Sequence, residues 1–289
     1  PYFKDTQAMR GTEIDTLWND EYGNKQLTED KKIYTGSILE HLLIQQLTAF
    51  YEVGDHNVYR LRGADWNDAL DMAAEKGESV AFTCAYAANL RILASLLHLM
   101  ESATGGNSIP LLEEIQILLN DQVDMFDNVS QKKEILAEYS KSCRHNLSGK
   151  QKEYSLSALA MNLLQKASWI TEHIRSQEWI NLNDTEGWYN SYYDNHGRSV
   201  EGFYEGQVRM MLTGQVFSIM GNVATDEQIK KIIQSADHYL YKKEIGGYRL
   251  NTDFHELKFD MGRMFGFAYG EKENGAVFSH MAVMYANAL

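Results

Sequence analysis

Apolar residues recur at helical spacing through most of the chain. Between Thr28 and Val53, residues Ile38, Leu39, Leu42, Leu43, Leu47 and Phe50 fall on one stripe, the pattern of an amphipathic helix. Segment 78–103 is apolar round most of its circumference, which predicts a helix buried on several sides. A third helix is expected from Pro110 to Phe126, with proline at its first position, where the missing N–H costs no hydrogen bond. Helices over 131–143 and 155–179 follow. Another over 225–240 opens on Thr225-Asp226-Glu227-Gln228, a capping-box pattern. A last one starts near Phe278. With only two prolines, Pro1 and Pro110, the pattern predicts an all-α chain forming one helical domain over 1–289. Short links alternate with long loops (59–77, 187–206 and 246–275) rich in aromatic, glycine, asparagine and charged residues. A helical toroid with a site at one end has this organisation.

Composition narrows the functional classes. The chain has 289 residues, 44% hydrophobic and 23% charged, enough to bury a core without staples. Its formal charge of −13 argues against a general nucleic-acid or anionic-membrane binder. Cys84 and Cys143 form no Cys-x-x-Cys pair and read as buried thiols of a reducing compartment. No uninterrupted apolar run reaches the ~18 residues of a membrane span. The first residues, Pro1-Tyr2-Phe3-Lys4-Asp5, lack the basic and apolar regions of an export signal. A cytoplasmic location is therefore expected, and the Asn-x-Ser/Thr sequons at Asn128, Asn146 and Asn183 read as chance.

Two stretches could carry chemistry. Ala64-Asp65-Trp66-Asn67-Asp68 puts two carboxylates, an amide and a tryptophan into one loop. A sugar ring can stack on the indole, and a desolvated carboxyl beside it can stay protonated as a general acid. The same residues also read as a helix start capped by Asp65 or Asn67, with Trp66 plugging the core. The second stretch, Gly262-Arg263 through Gly270-Glu271-Lys272-Glu273-Asn274-Gly275 and followed by Phe278-Ser279-His280, could hold an anion just ahead of a helix, or be a plain solvated loop. The aromatic run Trp188-Tyr189-Asn190-Ser191-Tyr192-Tyr193-Asp194 suits either a carbohydrate cleft or a plug beneath a loop. Metal-ligand spacings such as His-Glu-x-x-His do not occur, nor does a nucleophile elbow or phosphate loop, so no metal site is expected.

Taken together, the motifs carry a resemblance. Asp65-Trp66-Asn67-Asp68 with Gly77-Glu78-Ser79-Val80, then Leu212-Thr213-Gly214-Gln215, then Lys272-Glu273-Asn274-Gly275-Ala276-Val277-Phe278-Ser279-His280 resemble, in order and spacing, the signatures of glycoside hydrolase family 94 phosphorylases. The resemblance implies an (α/α)6 barrel that splits a β-linked glucoside with inorganic phosphate, inverting it to α-glucose 1-phosphate. By position, Asp68 would be the general acid. Asp65 and Trp66 would belong to the donor-sugar subsite, Lys272 and Asn274 would bind substrate, and His280 would bind phosphate. No cofactor is implied beyond phosphate as co-substrate. The partners implied are a β-glucoside and phosphate, with a homodimer for the intact parent.

Relatives carry an N-terminal β-sandwich, so the resemblance also implies a catalytic-domain portion with an incomplete barrel, lacking that sandwich and the C-terminal end. Met264-Phe265-Gly266-Phe267-Ala268-Tyr269 resembles the disaccharide phosphorylases, laminaribiose phosphorylases among them. Two rivals stand beside this reading. An inverting hydrolase needs a base carboxylate ~6.5–9.5 Å across the ring from the acid, for which Glu201, Glu205 and Asp253 are nominees. A non-catalytic carbohydrate-binding helical domain would keep the aromatic loops without needing Asp68.

Overall fold

The computed structural model describes residues 26–63, 67–144 and 146–289. Its α-helices are α1 (Ile38–Tyr51), α2 (Val80–Thr104), α3 (Val129–Ser142), α4 (Leu156–Gln177), α5 (Leu212–Met220), α6 (Asp226–Ser235) and α7 (Ser279–Ala288). Among the described residues five small antiparallel sheets accompany them, so the expected all-α class is corrected to a helix-rich fold with short hairpins. Contacts group the described residues into two compact units, one drawn from 26–52 and 90–166, the other from 53–89 and 167–289.

In the first unit, the predicted 28–53 helix starts ten residues late, at Ile38. Ser37 stops it, accepting the Glu40 N–H at 3.0 Å, while Leu27 and Ile33 bridge in a tight turn upstream. Glu40 is buried yet satisfied, by the Tyr34 hydroxyl and by the Leu112 N–H at 2.7 Å.

The helix expected at 110–126 is absent. Ser108–Leu112 is instead a strand paired with Gln151–Ser155, and two 3₁₀ turns, Glu113–Leu119 and Val123–Met125, follow it. The register explains why proline is tolerated there. Glu113 donates to Lys150 and Leu156 to Asn107, which fixes 113/150, 111/152 and 109/154 as the hydrogen-bonded pairs. Pro110 opposite Glu153 then falls in a non-hydrogen-bonded pair, where no N–H is required.

The core of this unit holds two lysines. Lys132 and Lys166 are both fully buried around Phe50, their ammonium nitrogens 4.1 and 5.4 Å from its ring centroid. Lys166 Nζ donates to the Asn120 carbonyl and to Asn162 Oδ1, both at 2.7 Å. Burial pushes the Lys166 amine down to about 7 and that of Lys132 well below its ordinary value.

α2 extends the predicted segment faithfully, but only its first half is enclosed. Ile92, Leu96 and Leu99 are 57%, 41% and 64% exposed along one stripe. Averaged over its best 18 residues the helix reaches a mean hydropathy of 1.5 with 56% of that window buried, so by length and composition it could cross a membrane. A search for uninterrupted runs passes over it because Asn89, Arg91 and His98 divide the apolar residues. Cys84 on this helix is buried, whereas Cys143 is half-buried, and neither is in a disulfide.

The second unit carries a three-stranded sheet in the order Tyr59–Arg60, Glu78–Ser79, Tyr192–Tyr193. The hairpin of Trp179–Asn181 with Gly187–Tyr189 and that of Gly202–Tyr204 with Gln207–Arg209 also belong to it. The aromatic run 188–193 is core rather than cleft: Trp188, Tyr189 and Tyr192 have no exposed surface, because these strand pairings turn their rings inward. Thr225 and Gln228 form the predicted capping box of α6, and α7 begins one residue after Phe278.

The lysine pair sets an expected pH response. At pH 8–9 the unfolded chain keeps Lys166 protonated while the folded chain holds it neutral. The unfolded state therefore binds more protons, and stability rises with pH through this group. Urea unfolding at pH 8 and pH 9 should show wild type gaining up to about 1.4 kcal/mol more than Lys166→Met. An identical pH response in both proteins would remove Lys166 from this account.

Candidate active site

The first motif enters the second unit as a short 3₁₀ turn, Asp68–Leu70. Asp65 and Trp66 lie outside the described residues, and so does the side chain of Asp68. Asn67 caps the turn, its Oδ1 accepting the Ala69 N–H at 3.2 Å while its Nδ2 donates to the Tyr192 hydroxyl at 3.2 Å. The turn is thereby fixed from two sides. Glu78, a few residues on, is a brace: its buried carboxylate accepts the His56 N–H on both oxygens, with His56 Nδ1 at 2.7 Å. Burial raises its pKa, and the contacts to His56 oppose that rise.

The Leu212-Thr213-Gly214-Gln215 segment is the start of α5, an unpredicted helix, and each residue has a packing task. Gln215 Oε1 accepts the Tyr189 N–H and its Nε2 donates to the Tyr189 carbonyl, both at 2.8 Å. Gly214 donates to Ser191 Oγ at 2.9 Å, and a Cβ there would stand 2.3 Å from that oxygen. Glu201 completes the seam. Fully desolvated, it accepts the Ser191 N–H, in a very short contact, and the Met211 N–H at 2.6 Å. Burial pushes its carboxyl up to about 8 against the pull of these donors.

The third motif is a clamped turn. Gly270 donates to the Asn274 carbonyl at 2.7 Å, and Glu271 bridges Asn274. Buried Asn251 accepts the Gly275 N–H at 2.7 Å, and Arg249 Nη1 donates to the Gly275 carbonyl at 2.6 Å. Gly275 sits at φ 74° with Tyr269 where a Cβ would be, so this close approach requires glycine.

These segments meet round a cavity of about 200 Å³ lined by Asn67, Ala69, Met211, Thr213, Leu250, Arg263, Met264, Glu273, Phe278, His280 and Met281. It adjoins the first turn of α7, whose N-terminus has no side-chain cap, so backbone N–H groups and His280 share that end. Arg263 Nη2 donates to Glu273 Oε1 at 3.2 Å, and Glu273 Oε2 is buried without a hydrogen-bond partner.

Of the residues expected from the sequence, His280 lines the cavity. Lys272 does not: it is exposed, with its ammonium 4.8 Å from the Phe267 ring centroid. Asn274 is committed within its own loop, donating to the Phe267 carbonyl at 2.9 Å and accepting from Asn251 Nδ2 at 3.1 Å. The three nominees for a hydrolytic base stand elsewhere. Glu201 is locked on two backbone donors, Glu205 is exposed at a hairpin tip, and Asp253 accepts the His255 N–H at 3.0 Å. Sequence reading gave Asn67, Thr213, Arg263 and Glu273 no role as lining groups, although all four lie inside the quoted stretches. Arg263 opened the second stretch, and the fold brings it beside Glu273.

Comparison with known proteins fits this geometry. The model of the Glycosyl hydrolase 94 superfamily, catalytic domain, matches residues 138–288, more than half of the chain. Solabiose phosphorylase of Paenibacillus borealis is 24% identical over 248 residues, covering 85% of this chain and 24% of that protein. Cellobionic acid phosphorylase of Neurospora crassa is 28% identical over 118 residues, covering 41% of this chain and 14% of its own. The chain thus spans a quarter or less of the length of these relatives.

The seam at Glu201 has a measurable consequence. Glu201→Gln places an amide N–H₂ against one of two buried N–H donors, and about 1–3 kcal/mol of stability should be lost in urea unfolding. A variant as stable as wild type would show that the two donors find other acceptors.

Proposed function

This chain belongs to the Glycosyl hydrolase 94 superfamily, and from that membership we propose that the whole protein is an inverting phosphorylase of a β-linked glucoside, built on an (α/α)6 barrel. The observation that carries the reading is the convergence, on one cavity, of Asn67 and Ala69, which flank Asp68 in the chain, with the start of α7 and His280. In this reading Asp68 supplies the acid and the start of α7 the anion site, which is the division of labour phosphorolysis needs. Phosphate arrives already ionised, so no second carboxylate has to deprotonate a nucleophile.

In the reaction proposed, phosphate is held by His280, by the first-turn N–H groups of α7 and by the Arg263 guanidinium. A phosphate oxygen attacks the anomeric carbon from the face opposite the leaving sugar. The bond from that carbon to the glycosidic oxygen breaks as the new carbon–oxygen bond forms, and Asp68 gives its proton to the departing oxygen. Inversion yields an α-hexose 1-phosphate and the free acceptor sugar. Glu273, with Oε2 unpartnered and Oε1 held by Arg263, is suited to accept sugar hydroxyls. Asp65 and Trp66 keep the donor-subsite roles the resemblance gives them, Lys272 would reach the acceptor sugar from outside the cavity, Asn274 would serve the site by holding its loop, and the only co-substrate is phosphate. A cytoplasmic homodimer is part of the same proposal.

The direct test is phosphate release by the whole protein from α-glucose 1-phosphate, with glucose, N-acetylglucosamine, gluconate and short β-glucans as acceptors. Acceptor-dependent release supports the reading; hydrolysis of β-glucosides without phosphate would replace it with the hydrolase. Asp68→Asn should lower turnover of an unactivated disaccharide by roughly 10²–10⁴-fold. Wild-type turnover by that variant would take Asp68 out of the mechanism. His280→Ala should raise the KM for phosphate well beyond any change in sugar KM, and an unchanged phosphate dependence would reassign the anion site.

A further inference from the structure

The turn that begins with Asp68 rests on a second segment, 260–263, from far along the chain. Gly262 lies at φ 150° directly against that turn: a Cβ there would stand 2.2 Å from the Ala69 carbonyl oxygen and 2.8 Å from the Asp71 nitrogen. Both obstructing atoms are backbone, so neither can swing aside. On either side of this contact the segments are tied. Met72 donates to the Met261 carbonyl at 3.2 Å, and the Arg263 N–H donates to Asp71 Oδ1 at 3.1 Å. Asn195 adds a third tie, its Nδ2 donating to the Met72 and Asp260 carbonyls at 2.6 and 2.7 Å. Beneath them Ala69, Leu70, Met261, Met264 and Phe265 pack in one buried cluster.

We propose that Gly262 and Asp71 are positioning residues, which hold the backbone of the Asp68 turn at a fixed distance from the Arg263 side of the cavity. The inference rests on the phosphorylase reading, with Asp68 as acid. Gly262 acts through the Ala69 carbonyl, by having no side chain to push the turn outward. Asp71 acts through the Arg263 backbone, by keeping the two segments in register. Neither touches the cavity as a lining side chain. Their effect should fall on proton donation to the leaving group, the step most sensitive to where Asp68 sits, and far less on binding of phosphate at the other end.

The experiment compares two donor substrates in phosphorolysis by the whole protein. An unactivated β-disaccharide needs the acid; a dinitrophenyl β-glucoside, whose leaving group departs without a proton, does not. Gly262→Ala should lose at least tenfold in kcat on the disaccharide, and less than threefold on the dinitrophenyl substrate, with the phosphate KM within threefold of wild type. Asp71→Ala should show the same split, and Asp71→Asn, which keeps an acceptor at Oδ1, should restore most of the loss. If Gly262→Ala does not fold, the Asp71 pair decides alone. Equal losses on both substrates, or no rescue by asparagine, would overturn the positioning role. Wild-type protein inactive on both substrates would instead sink the phosphorylase reading on which it rests.

Discussion

A carboxyl stripped of water holds the floor of the cavity together. Glu201 cannot be solvated where it sits, so its two oxygens must take what the backbone offers, and they take the N–H groups of Ser191 and Met211. The first of these belongs to the buried aromatic run and the second to the segment that enters α5. Gln215 and Gly214 repeat the same union a turn later, through Tyr189 and Ser191. Because Met211 and Thr213 line the cavity, its shape is inherited from a seam of buried polar contacts lying behind it. Such a seam is costly to leave half-made, which makes the alignment of the strand and the helix close to all-or-none.

Much of the helical framework was legible in the residue pattern. The capping box at Thr225 and the apolar stripe of α1 are local signals, and local signals survive into the fold. Pro110 is where locality misled. A proline fits a helix start and an unbonded strand position equally well, and a partner strand some forty residues away decided between them. The aromatic run 188–193 was ambiguous for the same reason, because a ring on a short strand faces whichever way the pairing dictates. Helix α5 hid within a motif whose glycine and threonine are poor helix formers, chosen for Ser191 and the cavity rather than for propensity.

The candidate site divides along the same line. The resemblance nominated both His280, which lines the cavity, and Asp68, whose side chain lies outside the described residues. Arg263 opened the second stretch without a role of its own, which comes from Glu273 ten residues later, reached only after the chain makes the clamped turn at Gly275. Lys272 shows the converse. A cation adjacent to an anion-binding motif invites a role in the cavity, yet a turn that places it at φ 46° sends its ammonium over Phe267.

One side chain at the junction of the two site segments has a further property. Asn195 uses every hydrogen-bonding position its amide possesses: two donors to the Met72 and Asp260 carbonyls, and two acceptor sites to the Glu75 and Lys76 N–H groups. Asparagine ages by deamidation, in which the following backbone nitrogen attacks the side-chain carbonyl carbon. That nitrogen, of His196, is committed to Asp194 Oδ1 at 2.9 Å. The attacking atom and the leaving amide are therefore both tethered, and the junction is guarded against slow chemical decay as well as against unfolding. A carboxylate formed at 195 would face two carbonyl oxygens, so the residue is one whose covalent lifetime sets how long the site keeps its shape.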